Sequence, residues 1–236
     1  MSRIIEQNSE NHMEDSAAPS DSMAAGGDIS APQPSAETSP VGAALPSPLV
    51  DAATAYSSGD TDARQVIDNK GTIIGNITLG AGSDAYHGAQ GILREGTLYA
   101  SMGQDEIVGG ASREKFDGGA GKDDLTGGGA DTFIFAAASD TKAAFSKCDI
   151  IEDFSHKQHD KIDLGQIDAK PKTGSVDPFT FIDTQDFHGK AGELHYVFKG
   201  ANTFLSGDID GDKVADFTIG FHGHVALSGD DFLPVL

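Results

Sequence analysis

Between residues 100 and 135 the apolar positions fall into a frame of nine. Cut in that frame, the chain reads ASMGQDEIV (100–108), GGASREKFD (109–117), GGAGKDDLT (118–126) and GGGADTFIF (127–135). The eighth position of the first three blocks is large and apolar, Ile107, Phe116 and Leu125. The sixth is an acid, Asp105, Glu114 and Asp123, and glycine opens each later block. Upstream, LGAGSDAYH (79–87) keeps the frame through Gly80, Gly82, Asp84 and Tyr86, whereas KGTIIGNIT (70–78) keeps only Gly71 and Ile77. Residues 88–99 shift the phase by three and carry no acid at the expected place. Brief apolar segments punctuated by glycine predict short strands, and so an all-β chain.

The repeat G-G-x-G-x-D-x-U-x, with U large and apolar, is the signature of a calcium-binding parallel β-helix. Its D-x-U-x half is a strand whose U side chain points inward onto neighbouring coils. Its G-G-x-G-x half is a turn in which glycine supplies positive φ and backbone carbonyls converge. Carbonyls plus an aspartate make a hard oxygen cage of the kind Ca²⁺ prefers, one turn giving half and a second, stacked turn the rest. A glycine-rich linker is the competing reading, but a linker fixes neither the phase of its apolar residues nor an acid two places before each.

The flanks read differently. Residues 1–65 are rich in Ser, Ala, Pro and acids, with prolines at 19, 32, 34, 40, 46 and 48. Such a segment buries too little apolar surface to offset its chain entropy and is expected to be disordered. The division that follows is a disordered segment at 1–65, a β-roll at 66–135 and a C-terminal region at 136–236. No apolar run is long enough to span a membrane. The first residues, MSRIIEQNSENHMEDS, lack the apolar core and cleavage site of a secretory leader.

Charge narrows the partners. The chain of 236 residues carries a formal net charge of −21, from 37 acidic against 16 basic residues. It should repel nucleic acid and anionic lipid, so neither is an expected partner. Folding gathers the carboxylates at a Coulomb cost, so either a cation joins them or they stay apart in solvent. The one cysteine, Cys148, excludes an intramolecular disulfide and reads as a small buried residue rather than a nucleophile.

At these residues the chain resembles the RTX (haemolysin-type calcium-binding repeat) proteins. GGGADTFIF, CDIIEDFSHKQHDKIDLGQID (148–168) and GELHYVFKGANTFLSGDIDGDKVADFTIGF (192–221) further resemble the C-terminal region of the serralysin metalloproteases. The resemblance implies a parallel β-roll of nine-residue repeats followed by a β-sandwich-like region. It implies that Asp105, Asp123 and Asp131 are calcium-loop aspartates, that Gly103, Gly118, Ala120 and Gly121 are turn positions supplying carbonyls, and that Asp153 and Asp160 close the last sites. Asp84 and Glu114 are weaker matches. The chain departs from the family pattern where Glu114 replaces Asp, where Ser112 replaces the fourth-position glycine, and where the block at 127 is one residue short before Asp131.

The family's zinc-binding H-E-x-x-H string does not occur in the chain, and HKQH (156–159) and HGH (222–224) lack a helical frame and a catalytic glutamate. In GDIDGDKVADFTI (207–219), Asp208, Asp210, Asp212 and Asp216 fall at EF-hand positions 1, 3, 5 and 9. Lys213 and Ile219, however, replace the turn glycine and the bidentate glutamate, so a polar hairpin turn competes with a calcium loop. The ending LSGDDFLPVL resembles an uncleaved signal for type I (one-step, ABC-transporter) secretion; an ordinary terminal strand is the alternative. The resulting expectation is a secreted, non-catalytic calcium-binding RTX-type protein, met by the type I apparatus during export. The alternative is a relic or companion of a serralysin-like metallopeptidase.

Overall fold

A computed structural model describes residues 54–59 and 62–234. Most of the segment expected to be disordered, residues 1–53, lies outside the described residues. Its end departs from that expectation: Thr54–Ser57 forms strand β1. Tyr56 there packs against the core, and its hydroxyl donates to Gln65 Oε1 at 3.0 Å. The Tyr56 contact and the parallel pairing of β1 with β4 place this end of the segment in the sheet.

The strands are short because each inward residue is followed within a few positions by a turn. The first coil holds β2 (Val66–Asp68), β3 (Thr72–Ile74) and β4 (Asn76–Thr78). The second holds β5 (Ala85–His87), β6 (Ile92–Arg94), β7 (Leu98–Tyr99) and β8 (Met102–Gly103). The next two hold β9 (Glu106–Val108), β10 (Lys115–Asp117) and β11 (Ala120–Gly121), then β12 (Asp124–Thr126) and β13 (Thr132–Ile134). After a longer loop come β14 (Asp149–Ile151) and β15 (Lys161–Asp163), then β16 (Thr180–Phe181), β17 (Glu193–Lys199), β18 (Asn202–Asp208), β19 (Phe217–His222) and β20 (Phe232–Leu233).

Consecutive nine-residue repeats fall on opposite walls of the roll. One wall is the seven-stranded sheet β1-β4-β7-β10-β13-β15-β20. Its parallel register stacks Ile77, Leu98, Phe116, Phe133, Ile162 and Phe232 in one buried column. The other is a nine-stranded sheet in which β2-β5-β9-β12-β14-β19 are parallel, stacking Ile67, Tyr86, Ile107, Leu125, Ile151 and Phe221. Phe116 and Leu125 therefore face each other across the core rather than sharing one column.

The phase break at 88–99 has a structural cause. These residues insert β6, which pairs with β3 as a third side and buries Leu93 beside Ile73. Beyond residue 135 the stacking continues. β14 and β19 extend one wall and β15 and β20 the other, while β18 and β17 add antiparallel strands beside β19. The C-terminal region and the roll thus share one pair of sheets.

Candidate metal centre

On the nine-stranded wall, the inward residues Ile67, Tyr86, Ile107, Leu125 and Ile151 each stand two positions after a polar residue, Gln65, Asp84, Asp105, Asp123 and Asp149. These positions form a ladder from coil to coil. The N–H of Gln65 donates to Asp84 Oδ1 at 2.6 Å, that of Asp84 to Asp105 Oδ1 at 2.7 Å, and that of Asp105 to Asp123 Oδ1 at 2.9 Å. The N–H of Asp123 donates to Asp149 Oδ1 at 2.9 Å, and Asp149 in turn donates to Thr141 Oγ1 at 3.0 Å. One oxygen of each carboxylate is used in this way. The other, Oδ2 of Asp84, Asp105 and Asp123, is buried with no hydrogen-bond partner.

A buried, half-satisfied carboxylate is costly, since desolvation penalises its charge. Asp123 is pushed up to about 9, by burial first and then by the charge of Asp149. Asp105 is raised to about 7 by burial and the nearby Asp84, Asp149 to about 7 chiefly by burial, and Asp84 is raised by burial. Among the described residues the ion pairs are all histidine with carboxylate, and none reaches these four acids.

The turns leading into the ladder approach each other as closely as backbone allows. β8 and β11 pair in parallel, placing Gly121 beside Gly103. A Cβ on Gly103 would overlap the Gly82 carbonyl oxygen and lie 3.2 Å from Asp105 Oδ1. A Cβ on Gly121 would overlap the Gly103 carbonyl oxygen and lie 3.2 Å from Asp123 Oδ1. Gly118 lies against Asp123 Oδ2, at 2.5 Å from a Cβ built there. Gly103 itself has φ +148. Stacked carbonyls close to carboxylates that each keep one oxygen without a donor form an all-oxygen donor set that suits a hard divalent cation, so the residues fit calcium.

The seven-stranded wall has a second ladder at the same offset. Glu114 accepts from Leu93 N–H at 3.0 Å through Oε1 and from Gly110 N–H at 2.6 Å through Oε2. Its own N–H donates to Asp131 Oδ1 at 2.8 Å, while Gly129 N–H donates to Asp131 Oδ2 at 2.9 Å. Asp160 accepts from Asp131 N–H at 2.9 Å and from Ser155 N–H at 2.8 Å. Asp153 receives the N–H groups of Gly127 and Gly128, both at 2.8 Å. Burial raises Asp131 to about 7 and also raises Glu114 and Asp160.

The positions read from the sequence thus separate into two rows. Asp84, Gly103, Asp105, Gly118, Ala120, Gly121 and Asp123 lie along one, and Glu114, Asp131, Asp153 and Asp160 along the other. Asp149 completes the first ladder and was not among them. Its D-x-U spacing to Ile151 is intact, but the 136–148 loop displaces it from the nine-residue frame. Asp117 was also missed. It is buried, accepts Gly119 N–H at 3.0 Å to brace the 118–119 turn, and is raised to about 6 by burial and by Asp140.

A third acidic group lies in the hairpin between β18 and β19. Asp208, Asp210 and Asp216 each offer an oxygen within 4.8 Å of the others, and Asp212 stands outside the group. Asp208 is fully buried, with its oxygens accepting Gly211 N–H at 2.7 Å and Lys213 N–H at 2.9 Å, and Asp216 Oδ2 accepts Ile209 N–H at 2.6 Å. The segment is both a hydrogen-bonded turn and an acidic group able to hold a metal. His156 pairs with Asp231 at 3.0 Å and His222 with Glu152 at 3.0 Å. Among the described residues no group of three metal ligands includes a histidine.

Residues 100–233 match the family described as peptidase M10 serralysin C terminal. Among solved structures, the AlgE6R2 subunit of the Azotobacter vinelandii mannuronan C5-epimerase is 30% identical, with a TM-score of 0.44, over 68% of this chain and 91% of that one. The AlgE6R3 subunit of the same enzyme is 24% identical, with a TM-score of 0.32, over 78% of this chain and 81% of that one. A comparison with curated proteins returns no match.

Proposed function

The chain belongs to the peptidase M10 serralysin C-terminal family and has an RTX-like, calcium-binding type of fold, and on that premise we propose that it is an exported, non-catalytic protein whose roll folds on binding calcium. The observation that carries the proposal is the file of three buried Oδ2 atoms on Asp84, Asp105 and Asp123. Three neighbouring carboxylates, each with one buried oxygen that lacks a donor, disfavour the closed roll at neutral pH. Calcium, when bound, supplies the missing positive charge between them.

The chain's own residues do the rest. Gly82, Gly103 and Gly121 let successive turns close to within carbonyl contact, and the Oδ1 rungs hold the acids in line. Binding only the folded form converts calcium affinity into folding free energy. For a site with Kd about 10⁻⁴ M in about 1 mM calcium, that is about 1.4 kcal/mol per ion. In a compartment with little free calcium the acids repel, and the chain stays open enough to thread an exporter. LSGDDFLPVL supplies the type I signal in this reading, and calcium outside the cell closes the roll.

Circular dichroism in chelator and in millimolar calcium tests the coupling, with magnesium as the control. Strand signal should appear with calcium alone; identical spectra would remove the proposal's basis. The companion-of-a-peptidase reading predicts chelator-sensitive cleavage of casein on adding Zn²⁺ and Ca²⁺, whereas the proposed function predicts none.

A further inference from the structure

Both rows of turns end in acids two residues before an inward apolar side chain, and carbonyls cross closely in both. The Gly110 and Ser112 carbonyls lie over Gly128 and Gly129 just as the Gly82 and Gly103 carbonyls lie over Gly103 and Gly121. What separates the rows is the second carboxylate oxygen. In the row Asp84–Asp105–Asp123 it is buried and has no donor. In the row Glu114–Asp131–Asp160 each second oxygen takes an N–H from a turn: Gly110, Gly129 and Ser155.

The sequence explains the difference. Glu114 has an extra methylene and reaches both Leu93 and Gly110. The turn before Asp131 is one residue short, which brings the Gly129 N–H over its carboxylate. Asp153 then fills the open end by accepting from Gly127 and Gly128. Inward-pointing N–H groups form a nest for negative charge and present their positive ends to anything that enters. They occupy the second oxygen of each carboxylate without cancelling its charge, and they stand where a cation would have to approach that oxygen.

We infer that, of the two rows, calcium enters only Asp84–Asp105–Asp123, one ion in each of its two intervals, and that the row Glu114–Asp131–Asp160 is a metal-free brace. This rests on the calcium reading above and departs from the two-sided occupancy that the repeat pattern alone implies. Asp105 stands between both intervals, so its loss should empty both. Glu114 should be replaceable without changing the number of ions bound.

Crystals of the full chain grown in calcium, examined by anomalous scattering, test this directly. Peaks are expected beside Asp84, Asp105 and Asp123, with none beside Glu114, Asp131 or Asp160. A peak in the second row overturns the inference and leaves the calcium reading standing. In solution, equilibrium dialysis should find two fewer ions on Asp105→Asn than on the wild type, and the same number on Glu114→Gln. Equal losses from both variants would also overturn it. Wild-type protein that retains no calcium in crystal or dialysis would instead defeat the calcium reading itself. Should Glu114→Gln fail to fold, the wild-type crystal still decides.

Discussion

Replacing Asp123 by Asn should move stability in opposite directions with and without calcium. Asp123 is fully buried, and burial together with Asp149 raises it from 3.8 to about 9. Each unit corresponds to about 1.4 kcal/mol, and pH 7 lies about three units above the ordinary value of 3.8, so taking up a proton at Asp123 on folding costs the metal-free roll on the order of 4 kcal/mol. Asn keeps the acceptor that receives Asp105 N–H at 2.9 Å and carries no charge. In chelator at pH 7 the variant should regain strand signal that the wild type lacks, with a gain of about 2–4 kcal/mol. In millimolar calcium the order reverses, because the variant has lost an oxygen anion shared between turns. Urea unfolding followed by circular dichroism in both conditions reads the two signs. A variant less stable than wild type in chelator, with an unchanged gain from calcium, would refute the reasoning.

Further outcomes follow from the same carboxylates and their neighbours. A carboxylate raised in the folded state contributes stability that is present at low pH and lost as pH rises through its folded value. With Asp117 at about 6, Asp105, Asp131 and Asp149 at about 7 and Asp123 at about 9, chelated protein should gain strand signal on acidification from pH 8 to 5. A loss over that range contradicts the electrostatic account. Cys148 is buried and its thiol is pushed up to about 11, chiefly by burial, so it should react slowly with Ellman's reagent in calcium and rapidly in chelator. Equal rates would mean that calcium leaves its surroundings unchanged. Gly121→Ala drives a methyl into the Gly103 carbonyl and should cost about 1–3 kcal/mol or more, with weakened calcium binding by titration calorimetry. Unaltered binding would place the ion elsewhere.

The nine-residue frame made the walls and the first ladder legible, because both depend only on which residue stands where. Ile107, Phe116 and Leu125 are buried, and Asp84, Asp105 and Asp123 share one file. Asp149 escaped because the 136–148 loop breaks the frame while leaving the local D-x-I spacing intact. The third side at β3 and β6 escaped because an insertion with no acid at the expected place looks like decay of the repeat rather than an added strand. The difference between the rows was not legible either. Whether a turn offers an N–H or a carbonyl to a carboxylate depends on backbone dihedrals and on a one-residue change in turn length, and composition records neither. The C-terminal strands were recognisable as strands, but their union with the roll's own sheets depends on long-range register.

The central claim is that calcium held along Asp84, Asp105 and Asp123 closes the roll. Amide hydrogen exchange at Asp84, Asp105 and Asp123 tests it most directly, since each of these N–H groups donates to the acid of the next coil. The account predicts strong protection in millimolar calcium and exchange near the unfolded rate in chelator at neutral pH. Equal protection in both conditions would contradict it.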